Sequence, residues 1–575
     1  MIYPLKSAEE SIISVLQKAL DDLKIDCEIK LEKPPEDIAD FAFPCFSLAP
    51  ISKKSPKIIA EEIVKILKND AWIKEKKAVN GYINFNIDQD ELIQKTFEII
   101  DIKKEKYGFL EKNNKKVIIE HTSANPNGPL HVGRARNPII GDTIYRLFKA
   151  AGFNAESQFY LDDMGKQVAI LAWGINNLNP EEIPVSDIDK EDHKKVGYYQ
   201  LAYEKMQNDF YISDEINELI KKGEEGDPDV INSIHDAYAP VLEGMKQSLD
   251  KINIKIDSYI PESTFVLDKS VEYVIENLKK TPHSESEGKA FYIDMAPYGV
   301  KGRNTKFFYL RKDGTTLYAT RDIAYHIWKS KRADLLVNIL GEDHKLESQQ
   351  VKIALELLKI KNIPKAIFYS FVSMPGGKMS TRMGRVVYLD GLINECIKRA
   401  YEEVKKRRGN ELDEKQMREI AEKIGLGALR FNIIKVQPEK DIVFKWEEAL
   451  NFEGNSAPFI QYSHARACSI LSKTTEKYDA VKKHSLNNDS EIALIKKIAE
   501  FPLIIEQACL GYKPHSIANY LLDIASKFNQ FYRDCPVLSE EDDDLRKIRL
   551  SLVNTSRIVV RNGLEILGIE APKEM

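Results

Sequence analysis

The segment from Lys116 to Asp142 constrains the fold of this chain more than any other stretch of its sequence. It begins with three apolar, β-branched residues at positions 117–119, a run typical of a buried strand. The sequence then becomes polar and small, and apolar residues return from Ile139 onward at helical spacing. Turns that lead from a strand into a helix bind nucleotides in open α/β sheets. The segment therefore predicts a parallel α/β sheet with a ligand site at this turn.

The polar middle of this segment carries groups that suit a phosphate. Gly128 and Gly133 would let the backbone approach phosphate oxygens at the helix N-terminus, where unpaired N–H groups favour negative charge. His131 would add a ring N–H donor. Without further information, a glycine-containing turn with a hydrogen-bonded histidine explains the stretch equally well. A P-loop is excluded, because Arg134 and Ala135 stand where Lys and Ser or Thr are required.

The same residues resemble a known family. His131-Val132-Gly133-Arg134 is similar to the HIGH signature of class I aminoacyl-tRNA synthetases, and the preceding Ser123 to Asn127 resembles the version found in the arginyl enzymes. The resemblance implies that His131 is catalytic and contacts ATP together with Gly133, Arg134 and Gly341. The second histidine of the signature is replaced here by Arg134.

A second stretch, from Met374 to Arg385, combines glycines with several cations. Such a loop can place positive charge against a polyphosphate, although a basic surface turn has the same composition. Lys378 to Arg382 resembles the KMSKS signature of class I synthetases in its KMSxR form, with Thr381 in place of the second lysine. The resemblance implies a catalytic, ATP-binding Lys378 and ATP contacts from Ser380 and Arg382.

Binding of a guanidinium requires carboxylates in a partly desolvated site, since an isolated buried charge is costly and a bidentate pair offsets that cost. For any single carboxylate of this sequence, a solvated surface position is the alternative. The run from Tyr318 to Asp322 resembles the arginine pocket of the arginyl family, and His344 stands where many members carry glutamine. Six residues are implied to bind arginine: Glu120, Asn125, Glu262, Tyr318, Asp322 and His344.

At 575 residues the chain is too long for a single hydrophobic core. We predict an α/β multidomain protein with a small N-terminal α/β domain and a central doubly wound, Rossmann-like parallel sheet. The charged segment 176–250 is predicted as a helical insertion, and Phe307–Arg311 as a strand. The sequence after residue 390 is helical in pattern. The predicted domains are residues 1–106, 107–395, 396–454 and 455–575.

The resemblance extends to both ends of the chain. It implies that residues 1–106 recognise the corner of a tRNA, that 396–454 form a helical connection below the active site, and that 455–575 form an all-helical anticodon-binding domain. Aromatic residues at helical spacing are usually core, but exposed ones stack on unpaired bases. Four aromatics of the C-terminal segment are candidates for either role: Tyr462, Phe528, Phe531 and Tyr532.

Composition excludes several classes of protein. Apolar residues make up 43% and charged residues 30% of the chain, and no apolar run approaches the ~20 residues of a membrane span. Because the N-terminus does not resemble a secretory signal, we expect a cytoplasmic protein without membrane contact. The six cysteines are far apart and show no zinc-ligand spacing, so neither a metal site nor a tightly bound cofactor is predicted.

The resemblance implies an arginyl-type class I synthetase that acts on L-arginine, ATP with Mg²⁺, and tRNA(Arg), and we expect it to be a monomer. In this family arginine activation usually requires bound tRNA. A sister enzyme such as the cysteinyl synthetase should carry a zinc-bound thiol pocket, and a small-molecule nucleotidylyltransferase should not need the helical C-terminal domain. A non-catalytic RNA-binding relative should have lost His131, Gly133, Lys378 or Ser380, all of which are present.

Overall fold

The structure is a computed structural model that describes residues 3–35, 38–302, 305–374, 377–378, 388–476 and 486–575. Of residues 134, 374, 377 and 378 it describes the backbone alone. The described chain folds into an N-terminal α/β unit, a central unit built on a parallel sheet, and a C-terminal bundle of helices.

The N-terminal unit packs helices on a three-stranded antiparallel sheet of order β1–β3–β2 around a core of its own. At the start of its second long helix, Ser55 caps the backbone N–H of Ile58 and Pro56 is the first helical residue. The elements are α1 (Pro4–Asp22), β1 (Phe41–Pro44), α2 (Ala49–Ser52), α3 (Pro56–Ile66), β2 (Ile73–Val79), β3 (Tyr82–Ile87) and α4 (Gln89–Lys103).

The central unit begins with the predicted strand, turn and helix, continues through a second strand and a helical insertion, and then adds three further strands to the sheet. Its elements are β4 (Lys116–Glu120), α5 (Arg136–Ala150), β5 (Asn154–Leu161), α6 (Lys166–Asn177), α7 (Glu191–Asn208), α8 (Phe210–Glu225), α9 (Pro228–Lys251), β6 (Ser258–Pro261), α10 (Ser263–Leu267), α11 (Ser270–Leu278), β7 (Ser284–Glu287), β8 (Ala290–Asp294), β9 (Lys306–Leu310), α12 (Tyr318–Ser330), β10 (Leu335–Gly341), α13 (Lys345–Leu357) and β11 (Lys365–Tyr369).

The five-stranded sheet is parallel throughout and has the order β11–β10–β4–β5–β6. The chain builds outward from β4 on one side and then returns to build β10 and β11 on the other. The strand order therefore reverses between β4 and β10, and open α/β sheets bind ligands at such a switch point, beyond the carboxyl ends of the strands. This topology confirms the predicted doubly wound sheet.

The structure confirms the predicted insertion and places one predicted strand in a different sheet. Helices α7, α8 and α9 occupy the predicted insertion between α6 and β6. The run predicted as a strand near Phe307 is a strand, but it belongs to a separate antiparallel sheet of order β7–β8–β9. Periodicity could not distinguish these arrangements, since it specifies a buried face and not a strand's partner.

The last part of the chain is predominantly helical. Buried residues of β4, α5 and the C-terminal helices belong to one continuous hydrophobic core, so the bundle packs against the back of the sheet unit. No described helix is both long enough and apolar enough to cross a membrane. The elements are β12 (Val372–Met374), β13 (Gly377–Lys378), α14 (Leu389–Arg408), α15 (Glu414–Ile434), β14 (Ile442–Val443), α16 (Trp446–Ala449), α17 (Ala457–Ser472), α18 (Asp489–Leu510), α19 (Pro514–Asp534) and α20 (Asp543–Ile566).

Candidate active site

The turn between β4 and α5 ends in one turn of 3-10 helix at Val132–Arg134, which His131 caps. The ring Nδ1 of His131 accepts a hydrogen bond of 2.9 Å from the backbone N–H of Gly133. Because Nδ1 is an acceptor, the neutral ring carries its proton on Nε2. The turn thus combines the positive end of a helix with a defined imidazole donor.

The two glycines of the turn serve different purposes in the structure. A Cβ on Gly128 would lie 2.6 Å from Cγ2 of Val196 in α7, so an insertion helix packs directly on this glycine. A Cβ on Gly133 would lie 3.0 Å from Nδ1 of His131, where it would crowd the cap. Gly128 therefore has a packing reason to be glycine that sequence reasoning did not foresee.

A cavity of about 920 Å³ opens beyond the carboxyl ends of β4, β5, β6 and β10. Its lining includes the end of β4 at Glu120 and the end of β10 at Gly341. His131 and Gly133 are not part of the described lining. Every residue predicted to bind arginine is on this lining: Glu120, Asn125, Glu262, Tyr318, Asp322 and His344.

One hydrogen-bonded network connects two of these predicted residues. Lys329, fully buried in α12, donates to Oε2 of Glu120 at 2.5 Å and to Oδ1 of Asn338 at 2.9 Å. The amide nitrogen of Asn338 lies 3.0 Å from Nε2 of His326, and Nδ1 of His326 lies 3.1 Å from Oδ1 of Asp322. Because Lys329 requires Oδ1 of Asn338 as an acceptor, the amide must donate to His326, whose proton is then on Nδ1 and faces Asp322.

This network separates the roles of the two carboxylates. The charge of Glu120 is already balanced by the ammonium of Lys329. Burial alone would raise the pKa of Asp322, but His326 and Lys329 lower that pKa below the usual value of an aspartate. Asp322 is therefore ionised at neutral pH and lines the cavity as an anion.

Sequence reasoning missed Lys329, His326 and Asn338. Asp322, His326 and Lys329 are spaced i, i+4 and i+7, so one face of α12 presents all three. That spacing was a usable signal. Asn338 offered none, because only sheet packing brings β10 beside α12.

Glu262 is the most unusual of the cavity carboxylates. Its side chain is 1% exposed, and neither carboxylate oxygen accepts a hydrogen bond from a described residue. The guanidinium of Arg321 lies 3.4 Å away but is also bound to Glu224 of α8 and to Thr316. Burial raises the pKa of Glu262 well above its usual value, and Arg321 only partly opposes that shift.

Asp162 adds a second buried acid next to Glu262 that the sequence did not single out. Its Oδ1 accepts the backbone N–H of Gly165 at 2.8 Å, and its Oδ2 has no described hydrogen-bond partner. A Cβ on Gly165 would lie 2.3 Å from Oδ1 of Asp162 and 2.6 Å from the hydroxyl of Tyr318. Gly165 thus leaves room for both polar groups at the cavity wall.

The second signature is only partly within the described chain. Ser380 and Arg382 lie outside the described residues, and of Lys378 the backbone alone is described, paired with Ser373 in β13 and β12. For Arg134 the backbone places the residue at the end of the 3-10 turn. The predicted ATP contacts of these four residues stay predictions.

The C-terminal aromatics divide between core and surface. Phe528 and Phe531 are buried, whereas Tyr462 and Tyr532 are exposed. The guanidinium of Arg466 lies 4.7 Å from the ring centroid of Tyr462 and 5.0 Å from that of Tyr532. The exposed pair is thus arranged around a cation, a combination suited to nucleic acid.

Comparison with protein families gives three matches along the chain. Residues 96–446 match the catalytic domain of class I tRNA synthetases of the arginine type. Residues 6–87 match the arginyl tRNA synthetase N-terminal domain, and residues 460–575 match the DALR anticodon binding domain. The fold and the signature turn therefore define a class I aminoacyl-tRNA synthetase.

Individual relatives agree over nearly the full length. The chain is 45% identical to the arginine-tRNA ligase of Methanocella arvoryzae, covering 92% of each chain. It is 42% identical to that of Methanocaldococcus jannaschii, covering 99% of this chain and 100% of the relative. The structure is similar to Thermus thermophilus arginyl-tRNA synthetase, with a TM-score of 0.82 and 27% identity over 98% of this chain and 100% of that one. The chain belongs to the arginine-tRNA ligase family.

Proposed function

We propose that this chain ligates L-arginine to the 3' end of its cognate tRNA through an arginyl-adenylate, with release of pyrophosphate and AMP. The observation that carries the proposal is the carboxylate of Glu262, buried at the cavity wall without a described hydrogen-bond donor. An arginine side chain would supply the N–H donors that this carboxylate lacks and a positive charge in addition to that of Arg321, which lies 3.4 Å away. Neutral analogues would bring no positive charge to it, which is a strong basis for rejection.

In this proposal, carboxylates and a neutral hydroxyl both contact the arginine side chain. Asp322 and Glu262 bind the guanidinium, and Tyr318, one helical turn before Asp322, donates its hydroxyl from the same wall. Glu120 attracts the cation less strongly, because Lys329 already balances its charge. Asn125 and His344 complete the amino-acid site.

The nucleotide binds along the turn that leads into α5. ATP enters as its Mg²⁺ complex, and the ion lowers the negative charge of the phosphates that the arginine carboxylate must approach. His131 donates from Nε2, the backbone at Gly133, Arg134 and Gly341 contacts the nucleotide, and Lys378, Ser380 and Arg382 bind its phosphates. An arginine carboxylate oxygen attacks the α-phosphorus, and the bond to the departing pyrophosphate breaks. No side-chain nucleophile is required.

The tRNA is the second substrate. A hydroxyl of its terminal ribose attacks the carbonyl carbon of the adenylate, and AMP leaves. The N-terminal domain contacts the corner of the tRNA, and the C-terminal helices, with Tyr462, Arg466 and Tyr532 on their surface, contact the anticodon region. The enzyme acts as a monomer in the cytoplasm, with domain boundaries at residues 106, 395 and 454.

Arginine-dependent exchange of pyrophosphate into ATP tests the reaction, measured on purified protein with and without tRNA. We expect exchange with arginine but not with lysine or citrulline, and only when tRNA is present. Citrulline is the matched control, since it replaces the charged guanidinium by a neutral urea group of similar shape.

Two results would contradict the proposal. Equal exchange with citrulline would remove the role assigned to Glu262 and Asp322. Binding of tRNA without any exchange or aminoacylation would make the chain a non-catalytic RNA-binding relative.

A further inference from the structure

A buried polar cluster outside the cavity joins the helical insertion to the first turn of α14. Asp390, the second residue of α14, accepts hydrogen bonds at Oδ2 from Nζ of Lys190 and Nε2 of His193, both at 2.9 Å. Its other oxygen, Oδ1, accepts from Oγ of Ser248 at 2.9 Å, and Lys190 also donates to Ser248 at 2.6 Å. Lys190 and His193 lie at the start of α7, and Ser248 lies in α9, so two insertion helices hold one carboxylate.

The cluster is an ion-paired anchor and not a metal site. Asp192, His193 and Asp390 offer ligand atoms within 4.8 Å of one another. However, the ammonium of Lys190 lies 3.3 Å from Asp192 and 2.9 Å from Asp390, and it supplies the positive charge there. A Cβ on Gly244 of α9 would lie 2.5 Å from Cγ of Asp192, so the helices pack closely around the cluster.

The geometry of Asp390 is strongly determined. Burial opposes its ionisation, but hydrogen bonds from His193 and Lys190 lower the pKa of Asp390 to about 2. An ionised carboxylate with three donors has little freedom to rotate. Its partners are themselves mostly buried, with side-chain exposures of 4% for His193 and 16% for Lys190.

The residues just before Asp390 are paired with the turn that carries His131. The backbone N–H of Leu389 donates to the carbonyl of Leu130 at 2.8 Å, and Tyr388 forms an antiparallel bridge with His131. The ring of Tyr388 also meets the ring of His193 edge to face, with centroids 5.1 Å apart. A short, continuous path therefore runs from the insertion through Asp390 to the backbone of His131.

We propose that Asp390 is a positioning residue for ATP binding: the insertion, acting through Lys190, His193 and Ser248, fixes Asp390 and thereby the backbone on which His131 is held. The inference rests on the proposed function in one respect, because that function assigns His131 to the nucleotide. It gives the insertion a catalytic purpose distinct from the packing of α7 on Gly128. Arginine binding should be insensitive to the anchor, since none of the anchor residues lines the cavity.

Kinetics of Asp390→Asn test the anchor. Asparagine keeps the shape but removes the charge and leaves Lys190 without its full counter-ion. We expect kcat/KM for ATP to fall by about 10- to 100-fold, since misplacement of a catalytic group by 1 Å can cost about 10²-fold. The KM for arginine should stay at the wild-type value. Ser248→Ala, which removes one donor, should show the same pattern to a smaller degree and is the milder variant if Asp390→Asn folds poorly.

Glu395→Gln is the matched control, because Glu395 lies on the next turns of α14 and pairs with Arg399 away from the anchor. It should leave both constants unchanged. Equal changes in the ATP and arginine constants of Asp390→Asn, or a lower melting temperature with unchanged constants, would overturn the positioning role. Calorimetric titration of MgATP into wild type and variant separates this outcome from failure of the proposed function. If neither wild type nor Asp390→Asn is active, equal affinities for MgATP would still contradict the positioning role of Asp390. Weaker MgATP binding by Asp390→Asn would support it.

Discussion

The acidic wall of the cavity and the His131 turn, to which we assign arginine and ATP respectively, are built on opposite plans. The wall collects carboxylates from separate elements, with Glu262 following β6 and Asp322 in α12, and it buries Glu262 at 1% exposure without a described hydrogen bond. The turn is one contiguous stretch whose donors are backbone N–H groups and a half-buried imidazole. If the two regions bind the substrates we assign to them, selectivity for arginine costs folding stability, whereas a phosphate site at a helix N-terminus uses donors that every helix leaves unpaired.

The largest effect should come from the turn. His131→Ala removes the ring donor, and we expect kcat to fall about 10²- to 10³-fold, the range for loss of one transition-state donor. The KM for arginine should not change. Single-turnover kinetics of adenylate formation measure this directly.

His131→Asn is the control for the cap itself. Asparagine still accepts the N–H of Gly133 as an N-cap but lacks the ring donor. An equal loss of kcat in both variants would show that the imidazole ring is the catalytic donor. Full activity of the asparagine variant would show that His131 acts only as the helix cap, which would contradict the role assigned to the turn.

The next largest effect should fall on the wall. Asp322→Ala should raise the KM for arginine about 10- to 150-fold, since a hydrogen bond to a charged group contributes about 1.5–3 kcal/mol. The KM for ATP should change far less. Steady-state aminoacylation with each substrate varied in turn is the measurement, and equal, small changes in both constants would remove Asp322 from the pocket.

A smaller effect should come from Glu262, which differs from Asp322 in making the KM for arginine depend on pH. Because burial raises the pKa of Glu262 well above its usual value, this acid keeps its proton to higher pH than an ordinary glutamate, and only its ionised form pairs fully with a guanidinium. Raising the pH should therefore lower the KM for arginine. We expect Glu262→Gln to lose this dependence and to bind about tenfold more weakly than wild type at high pH, a factor that corresponds to ~1.4 kcal/mol.

The same residue should show the stability cost of the wall. The unfolded chain releases the Glu262 proton near the usual pKa of 4.5, whereas the folded chain keeps it to higher pH. Between those two values the folded state binds more protons, so its stability falls as the pH rises. Without arginine, Glu262→Gln should therefore melt at a higher temperature than wild type above pH 4.5; a lower melting temperature would show that the wall carries no such cost.

The smallest effect on the kinetic constants should come from Gly128, where the change is mainly one of stability. Its Cβ would overlap Val196, and overpacking costs about 1–3 kcal/mol. Gly128→Ala should lower the melting temperature, and the double variant with Val196→Ala should recover both stability and kcat. If kcat stays low in the double variant, Gly128 is required for the close approach of phosphate that the sequence suggested, and not only for packing against Val196.

Local structure and the signature turn could be predicted from the sequence because their determinants are contiguous. Ser55 followed by Pro56 is typical of a helix start and marks the beginning of α3. The apolar run before Glu120 predicts the strand β4. The six arginine-site residues were predicted through a family resemblance, and the structure brings all of them to one cavity. Their roles as ligands stay predictions.

What the sequence by itself determined is which segments form strands and helices, since hydrophobic periodicity and caps act over a few residues. Only the tertiary structure decided which charges are balanced. Lys329 reaches Glu120 and Lys190 reaches Asp390 across 209 and 200 residues, whereas Glu262 accepts no described hydrogen bond and has the guanidinium of Arg321, shared with Glu224, at 3.4 Å. The physical reason is that the energy of a charge depends on burial and on partners brought together by packing, and neither is encoded in local sequence spacing.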